Sequence, residues 1–309
     1  MISFSHQVKD EVSKLEIEKI SAISELSAII QNIGSIDKNI KITIENASVA
    51  RRIFNLLKIT FDIIPKITVR KGYNFNKNLI YILEFADNKH KVLNTIGIYN
   101  NLIPEEYIVS DIEQKRAYLR GVFLSIGSIN DPKKSRYHLE FLVNNIEYSK
   151  FLSDLLNEFR LNSKVIKRDH KYMVYVKEAE KIGDFLRILN AYNAVFYFED
   201  IRIYRDHKNM TNRLNNCEQA NIDKIILTAN TQVNQIEVLK KYDVFDLLTE
   251  KEKIAAEYRL KYPDVSLLEL SEIISLETNT PITKSGLHHR FNKIKTLYEK
   301  IEEKNNSKK

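Results

Sequence analysis

Cysteine, tryptophan and glycine are rare in this chain of 309 residues, which has one Cys, no Trp and seven Gly. The single thiol, Cys217, can form no internal disulfide and has no companion for a zinc site, which fits a reducing cytoplasm. No run approaches the roughly 18 apolar residues that cross a bilayer, and the start, MISFSHQVKDEVSKL, is charged where a signal peptide is apolar. The composition therefore predicts a globular cytoplasmic protein that is neither exported nor embedded in a membrane.

The sequence also lacks the short motifs that would indicate an enzyme. It has no Gly-rich phosphate loop, no paired cysteines and no G-x-S-x-G motif, so we expect neither a cofactor nor a metal. The formal net charge is +7 and the isoelectric point is about 9.1, which makes a polyanion a reasonable partner. Charge alone does not separate DNA from RNA or from an acidic protein.

One apolar phrase occurs twice, as ELSAIIQNIGSI at 25–36 and as YLRGVFLSIGSI at 118–129. In each copy the apolar residues recur at a spacing of three and four, which predicts one helix face, and strand-like, helical and two strand-like stretches follow. The small residues Ala28 and Gly121 would let the two helices approach closely. Gly34 and Gly127 are expected to end them in the left-handed conformation. The repeat predicts an α+β fold, a pseudo-twofold duplicated domain with a saddle-shaped sheet.

The C-terminal third has a different pattern, without alternating strands. DVSLLELSEII predicts a short helix capped by Ser266 with Glu269 completing a capping box, and a longer basic helix follows with Thr283 as its cap. Together they predict an all-α helix-turn-helix domain whose last helix enters the major groove. The candidate DNA-binding residues of that helix are Thr283, Lys284, Ser285, His288, His289, Arg290 and Lys293. A solvated basic face on a three-helix bundle remains the alternative.

The residues of this set differ in the DNA contacts that they can make. Lys284, Arg290 and Lys293 suit phosphate contacts, whereas Ser285, His288 and His289 are placed near the helix start, where base edges are read.

The predicted domains are 1–212, with half-domains of about 1–100 and 110–212, then a linker at 213–222, the helix-turn-helix at 223–302 and a polar tail at 303–309. Further basic residues could follow a phosphate backbone along the saddle or the linker. They are Lys66, Arg70, Lys71, Arg136, Lys164, Lys167, Arg168, Arg202, Arg205, Lys208 and Arg213. For the segment 202–216 the alternative is structural, with Arg and Asn side chains tying it to the domain ends.

The repeated helix resembles that of the LAGLIDADG homing endonucleases. Aligned on the glycine, the family motif falls on LSAIIQNIG at 26–34 and on LRGVFLSIG at 119–127. In active members the acidic residue before the glycine binds the catalytic metal, and here Ile33 and Ile126 occupy those positions. The resemblance therefore implies a fold without a metal and without nuclease activity. Asp37 and Asp131 lie a few residues further on, and we interpret them as turn residues.

Both parts together resemble the WhiA family. The segments that carry this resemblance are YLRGVFLSIGSINDP, FEDIRIYRDHKNMTNRLNNCEQANIDK and YPDVSLLELSEII. It implies a sequence-selective regulator that binds double-stranded DNA, has a role in cell division and chromosome segregation, and is associated with the nucleoid. Transcription or cell-division proteins are the expected further partners, and we expect a monomer because the duplicated halves supply their pairing internally.

Two other functions stay open. One is a protein-interaction scaffold of the division machinery with nonspecific DNA binding. The other is a metal-dependent endonuclease, which would need carboxylates where Ile33 and Ile126 stand.

Overall fold

The computed structural model describes residues 3–72, 79–98, 103–134 and 136–306. The chain divides into two compact units, Met1–Asp206 and His207–Lys309. A helix of 50 residues, α8 (Tyr192–Lys241), runs from the first into the second. The stretch 213–222, predicted as a linker, lies within this helix, and all of its residues are exposed. Of the predicted tail, 303–306 form the end of the last helix, and 307–309 lie outside the described residues.

The first unit contains the predicted repeat, which is confirmed. Its first half consists of α2 (Lys19–Ile33), β1 (Gly34–Ile36), β2 (Ile40–Ile44), α3 (Ala47–Phe61), β3 (Lys66–Lys71), β4 (Leu79–Phe85) and α4 (Lys89–Thr95). Its second half consists of α5 (Ile112–Ile126), β5 (Gly127–Ile129), β6 (Leu139–Val143), α6 (Ile146–Glu158), β7 (Lys164–Arg168), β8 (Lys171–Val176) and α7 (Ala179–Ile188). Each half builds one antiparallel sheet, in the order β1-β2-β4-β3 or β5-β6-β8-β7. An additional helix, α1 (Phe4–Val12), precedes them.

The two motif helices, α2 and α5, form the centre of this unit. Leu26, Ile29 and Ile30 of α2 are fully buried, as are Leu119 and Val122 of α5. The apolar faces of both helices therefore pack into a core that they share with the inner faces of the two sheets.

The glycines that end these helices were predicted in the wrong conformation. Gly34 has φ −79° and ψ 133°, and Gly127 has φ −70° and ψ 142°, so both are extended and not left-handed. They are the first residues of β1 and β5, two strands of three residues that periodicity did not reveal. Glycine is required at both positions because the preceding helical turn leaves no room for a Cβ atom. A Cβ on Gly34 would lie 2.9 Å from Cγ2 of Ile30, and one on Gly127 would lie 2.7 Å from Cα of Phe123.

Gly121 marks the closest approach between α2 and α5, as its small size predicted. A Cβ at this position would lie 2.8 Å from Cβ of Ala28 and closer still to the carbonyl oxygen of Glu25. Because a backbone atom is in the way, only a shift of one helix could make room.

We therefore expect Gly121→Ala to lower the free energy of unfolding by about 1–3 kcal/mol, despite alanine's better helix propensity. The matched control is Gly286→Ala in the last helix, where a Cβ would meet Thr283 Oγ1 at an ordinary 3.4 Å. That change should stabilise by up to about 1 kcal/mol. Urea unfolding of both variants measures the difference, and equal effects would contradict a tight contact at Gly121.

A buried ion cluster at the α2–α5 contact was not predicted. Glu25 is 1% exposed, and its carboxylate binds the guanidinium of Arg52 through both oxygens, with Oε2 2.8 Å from Nη2. Arg120 of α5 reaches the same carboxylate at 3.5 Å. Arg52 also donates to the Leu15 carbonyl oxygen at 2.7 Å, so one carboxylate joins α2, α3, α5 and the segment after α1.

The second unit is helical and contains α8 from His207 onward, then α9 (Glu250–Lys261), α10 (Leu267–Thr278) and α11 (Lys284–Asn306). Leu287, Phe291 and Ile294 of α11 face inward and are buried, and Leu297 packs partly buried beside them. They meet Ile236 and other apolar residues of α8, α9 and α10. This core is separate from that of the first unit.

Candidate nucleic-acid interface

Side-chain hydrogen bonds fix both the start of α10 and the turn between α10 and α11. The predicted capping box is present: Ser266 Oγ accepts from Glu269 N at 3.2 Å, and Glu269 Oε2 accepts from Ser266 N at 2.8 Å. At the start of α11, Thr283 Oγ1 accepts from Gly286 N at 3.1 Å, so Thr283 is the cap that was predicted. Ser275 Oγ accepts from Ile282 N at 2.9 Å. The bond of Ser275 ties the residues before α11 to α10, and the bond of Thr283 fixes the first turn of α11.

The start of α11 presents polar side chains to solvent. Lys284, Ser285, His288 and His289 are exposed, and in the described part of the chain none of their side chains has a hydrogen-bonding or ionic partner. Lys284 and His288 also line two grooves that α8 borders, of about 360 and 290 Å³. Ser285 and His289 lie on the helix face opposite Leu287 and Phe291, which are buried. Free donors on the first turns of such a helix can meet base edges or phosphates.

Two of the predicted basic residues face α9 instead. Arg290 Nη1 donates to the carbonyl oxygen of Lys251 at 3.3 Å, and Lys293 Nζ lies 3.6 Å from Oε1 of the nearly buried Glu252. Both residues therefore hold α11 against α9. Their sequence positions matched a basic recognition helix, but the partner on α9 was not visible in the pattern.

The sheet residues divide according to strand register. Lys66 lies opposite Glu84, and the next residue, Ile67, lies opposite the buried Leu83, so Lys66 is on the face away from the helices. Arg70 shares that face at a distance of four residues along β3. Lys71 is on the other face of the same edge strand.

The second half repeats this arrangement. Lys164 lies opposite Tyr175, and Val165 lies opposite the buried Val174. Lys164 and Arg168 therefore share the outer face, and Lys167 is on the opposite one. All of these basic residues are exposed, as is Arg136 before β6. The outer faces of the two sheets thus each carry an equivalent Lys and Arg pair, which we call the outer basic pairs (Lys66 with Arg70, Lys164 with Arg168).

The basic residues at the start of α8 have structural partners. Arg205 donates to the carbonyl oxygens of Pro132 and Lys134 at 2.8 and 2.7 Å, and its guanidinium lies 4.6 Å from the centre of the Tyr137 ring. Arg202 Nε donates to Glu199 Oε2 at 2.7 Å, and this hydrogen bond raises the pKa of Arg202. These contacts match the structural alternative, whereas Lys208 and Arg213 are exposed.

Ile33 and Ile126, which the family motif aligns with metal ligands, are apolar and half-buried. Asp131 is a turn residue, since its Oδ1 accepts from Lys133 N at 2.9 Å. No group of three or more His, Cys, Asp or Glu side chains that could hold a metal ion occurs among the residues that the structure describes. The same residues include no helix that is both long and apolar enough to cross a membrane.

Comparison with known proteins gives matches along the whole chain. Residues 15–99 match the model of the WhiA N-terminal LAGLIDADG-like domain, 115–208 that of the WhiA LAGLIDADG-like domain, and 211–298 that of the WhiA C-terminal HTH domain. A protein of Thermoanaerobacter pseudethanolicus named "Probable cell division protein WhiA" is 41% identical, over 98% of this chain and 99% of its own. A Staphylococcus aureus protein of the same name is 38% identical, over 97% and 98%.

The fold has a counterpart among solved structures. The crystal structure of full-length DUF199/WhiA from Thermotoga maritima superposes with a TM-score of 0.58 at 23% sequence identity, covering 96% of this chain and 98% of that one. At this identity the likeness concerns the fold alone. The order of the three matched domains and the identity over nearly the full length of both relatives lead to one conclusion: this chain belongs to the WhiA family.

Proposed function

We propose that this chain is a DNA-binding regulator that acts on transcription in cell division and chromosome segregation, and that it does not cut DNA. The observation that carries the proposal is the start of α11, where Lys284, Ser285, His288 and His289 are exposed and unpaired on a firmly capped helix. The names of the relatives support a role in division. DNA as the partner puts the protein at the nucleoid.

In this proposal the residues along α11 have different roles. Ser285 and His289, on the outward face of the first turns, are suited to read base edges, and Lys284 is suited to a phosphate. Arg290 and Lys293 act indirectly, because they fix α11 on α9 and so set the orientation of its first turn toward DNA. Thr283 acts as the cap that holds this turn.

The outer basic pairs supply a second contact in this proposal. Each pair lies on a solvent-facing sheet surface, and equivalent pairs on both halves suit a partner with a repeating negative charge. Lys71, Lys167, Arg136, Lys208 and Arg213 are exposed and could add to the electrostatic attraction without fixing a register. The two halves pair internally, so a monomer is the proposed state, with transcription or division proteins as further partners.

Two substitutions on α11 separate the proposed phosphate and base contacts. Lys284→Ala should weaken binding to specific and random duplexes alike and reduce the slope of log K against log salt concentration by about one. His289→Ala should cost about 1–3 kcal/mol for the specific duplex only. Fluorescence anisotropy at several salt concentrations measures both, with Lys300→Ala, an exposed lysine near the other end of α11, as the control. Equal losses of affinity in all three variants would contradict the proposal that the first turn of α11 contacts DNA.

The experiment that tests the function as a whole uses sheared genomic DNA, the full chain and Mg²⁺, and sequences retained fragments together with any new ends. Enrichment of a few promoter-proximal fragments without new ends is the expected result. Discrete new ends would mean a nuclease. Uniform retention would reduce the protein to a scaffold with nonspecific DNA binding.

A further inference from the structure

A pocket of about 410 Å³ lies in the first unit at the glycine ends of both motif helices. Ile33 borders it from α2 and Ser125 from α5, the positions next to or at the former metal ligands. Helix α1 forms another wall, contributing Ser5 and Lys9. The pocket therefore borders the positions that the family motif aligns with metal ligands.

Lys9 is the cation of this pocket. Its ammonium lies 5.7 Å from the centre of the Phe123 ring, and within the described ranges no carboxylate or other acceptor bonds to it. Burial lowers the pKa of Lys9 to about 8. A partly buried ammonium without an anionic partner is unfavourable, and buried charges in proteins are usually paired with an opposite charge.

Other groups around Lys9 favour a bound anion. Ser5 Oγ accepts from Ile129 N at 3.4 Å, which leaves its own hydroxyl hydrogen to donate. Both Ser5 and His6 belong to the first turn of α1, where the helix dipole attracts negative charge. Glu45 is the carboxylate that lines this pocket, and it already has an interaction partner of its own. The neighbouring Asp10 is also engaged, with Oδ1 2.9 Å from Asn46 Nδ2 and Oδ2 3.4 Å from His6 Nε2.

We propose that this pocket binds a phosphate group, with Lys9 as its cation. The ammonium then supplies a positive charge at the ends of α2 and α5. It takes the part of a metal ion, which Ile33 and Ile126 have no oxygen atoms to bind. The phosphate could belong to a DNA backbone or to a free phosphorylated metabolite. The inference goes beyond the proposed function, since it does not depend on α11 reading DNA.

The first test is limited acetylation of the full chain with an N-hydroxysuccinimide ester, read at individual lysines by peptide mass spectrometry. Lys14, exposed on the segment after α1, is the internal control. The probes are inorganic phosphate, pyrophosphate and a random 16-base-pair duplex, with ionic strength held constant by NaCl. At ten times the dissociation constant a bound phosphate should slow acetylation of Lys9 about tenfold and leave Lys14 within twofold. Protection by pyrophosphate indicates a free phosphate ligand, and protection by the duplex alone indicates the DNA backbone.

The pH dependence of the Lys9 reaction gives an independent readout. Bound anion favours the ammonium, so its pKa should rise from about 8 when the protecting probe is present. The titratable groups that line the pocket with Lys9 are His6 and Glu45, and Asp10 lies beside His6. Unchanged acetylation of Lys9 with all three probes would overturn the proposal.

The second test uses Lys9→Met, which keeps the length of the side chain and removes its charge, and Lys9→Arg, which restores the charge. We expect Lys9→Met to fold, and its thermal unfolding checks this. Its affinity for the protecting probe should fall at least about tenfold, and Lys9→Arg should recover most of it. Full affinity in a folded Lys9→Met variant would also overturn the proposal.

Discussion

Glu25→Gln is expected to lower the free energy of unfolding of the unit Met1–Asp206 by about 3–5 kcal/mol, the cost of leaving buried charges without their counterion. Glutamine keeps the shape of the side chain, but Arg52, which is 1% exposed, and Arg120 then lose the one carboxylate that they share. The amide NH₂ group would also face a guanidinium, donor against donor. The effect should therefore exceed that of an ordinary lost hydrogen bond.

Hydrogen exchange followed by mass spectrometry measures this change locally. Amides of α2 and α5 should exchange faster in the variant, and α9 to α11 should keep their protection. Glu113→Gln is the matched control, because Glu113 pairs with Arg116 at 2.9 Å on the same helix as Arg120 but is 59% exposed. That change should cost less than about 1 kcal/mol. Similar exchange rates in the two variants would show that Glu25 does not hold the helices together.

Arg259→Met should have the second largest effect, about 3 kcal/mol, on the helical unit His207–Lys309. Arg259 is 1% exposed and has no acidic partner among the described residues. Its guanidinium donates to the carbonyl oxygens of Val265 at 2.7 Å and Tyr262 at 3.2 Å, and to Gln232 Oε1 at 3.0 Å. It therefore ties the connection between α9 and α10 to α8, and methionine would leave these buried acceptors unpaired.

The control lies two residues away on the same helix. Lys261 binds Glu277 at 2.9 Å, but its side chain is 56% exposed, so Lys261→Met should cost less than about 1 kcal/mol. Hydrogen exchange of α9, α10 and α11 distinguishes the variants, and binding of the specific duplex should weaken together with the protection of α11. Stable helices with normal DNA binding in Arg259→Met would refute this role.

The repeated phrase made the duplication of the first unit predictable, because apolar periodicity survives wherever a helix must bury one face. The same reasoning gave the caps Ser266 and Thr283, which depend only on neighbouring residues. It failed where the determinant is distant in sequence. Glu25 interrupts an apolar stripe, and nothing local identifies Arg52 and Arg120 as its partners.

The candidate interface shows the same limit. A basic residue on a predicted recognition helix looks alike whether it meets DNA or a neighbouring helix, and only the structure reveals that Arg290 and Lys293 face α9. The predicted conformation of Gly34 was wrong for a related reason. Glycine after a helix usually indicates a left-handed end, but here the limiting contact is with the preceding turn of the helix itself.

The half-buried position of Ile33 and Ile126 bears on how such a protein could arise. These residues lie at the ends of the motif helices, whereas Gly121 and the Glu25 cluster lie in the contact between them. The positions that the resemblance assigns to metal binding thus differ from the residues that hold the two helices together. Isoleucine buries apolar surface where a carboxylate would have to be solvated or coordinated, so replacing metal ligands at these two positions would leave the contact between the helices intact. Selection for a new role could then act on a scaffold that had remained folded throughout.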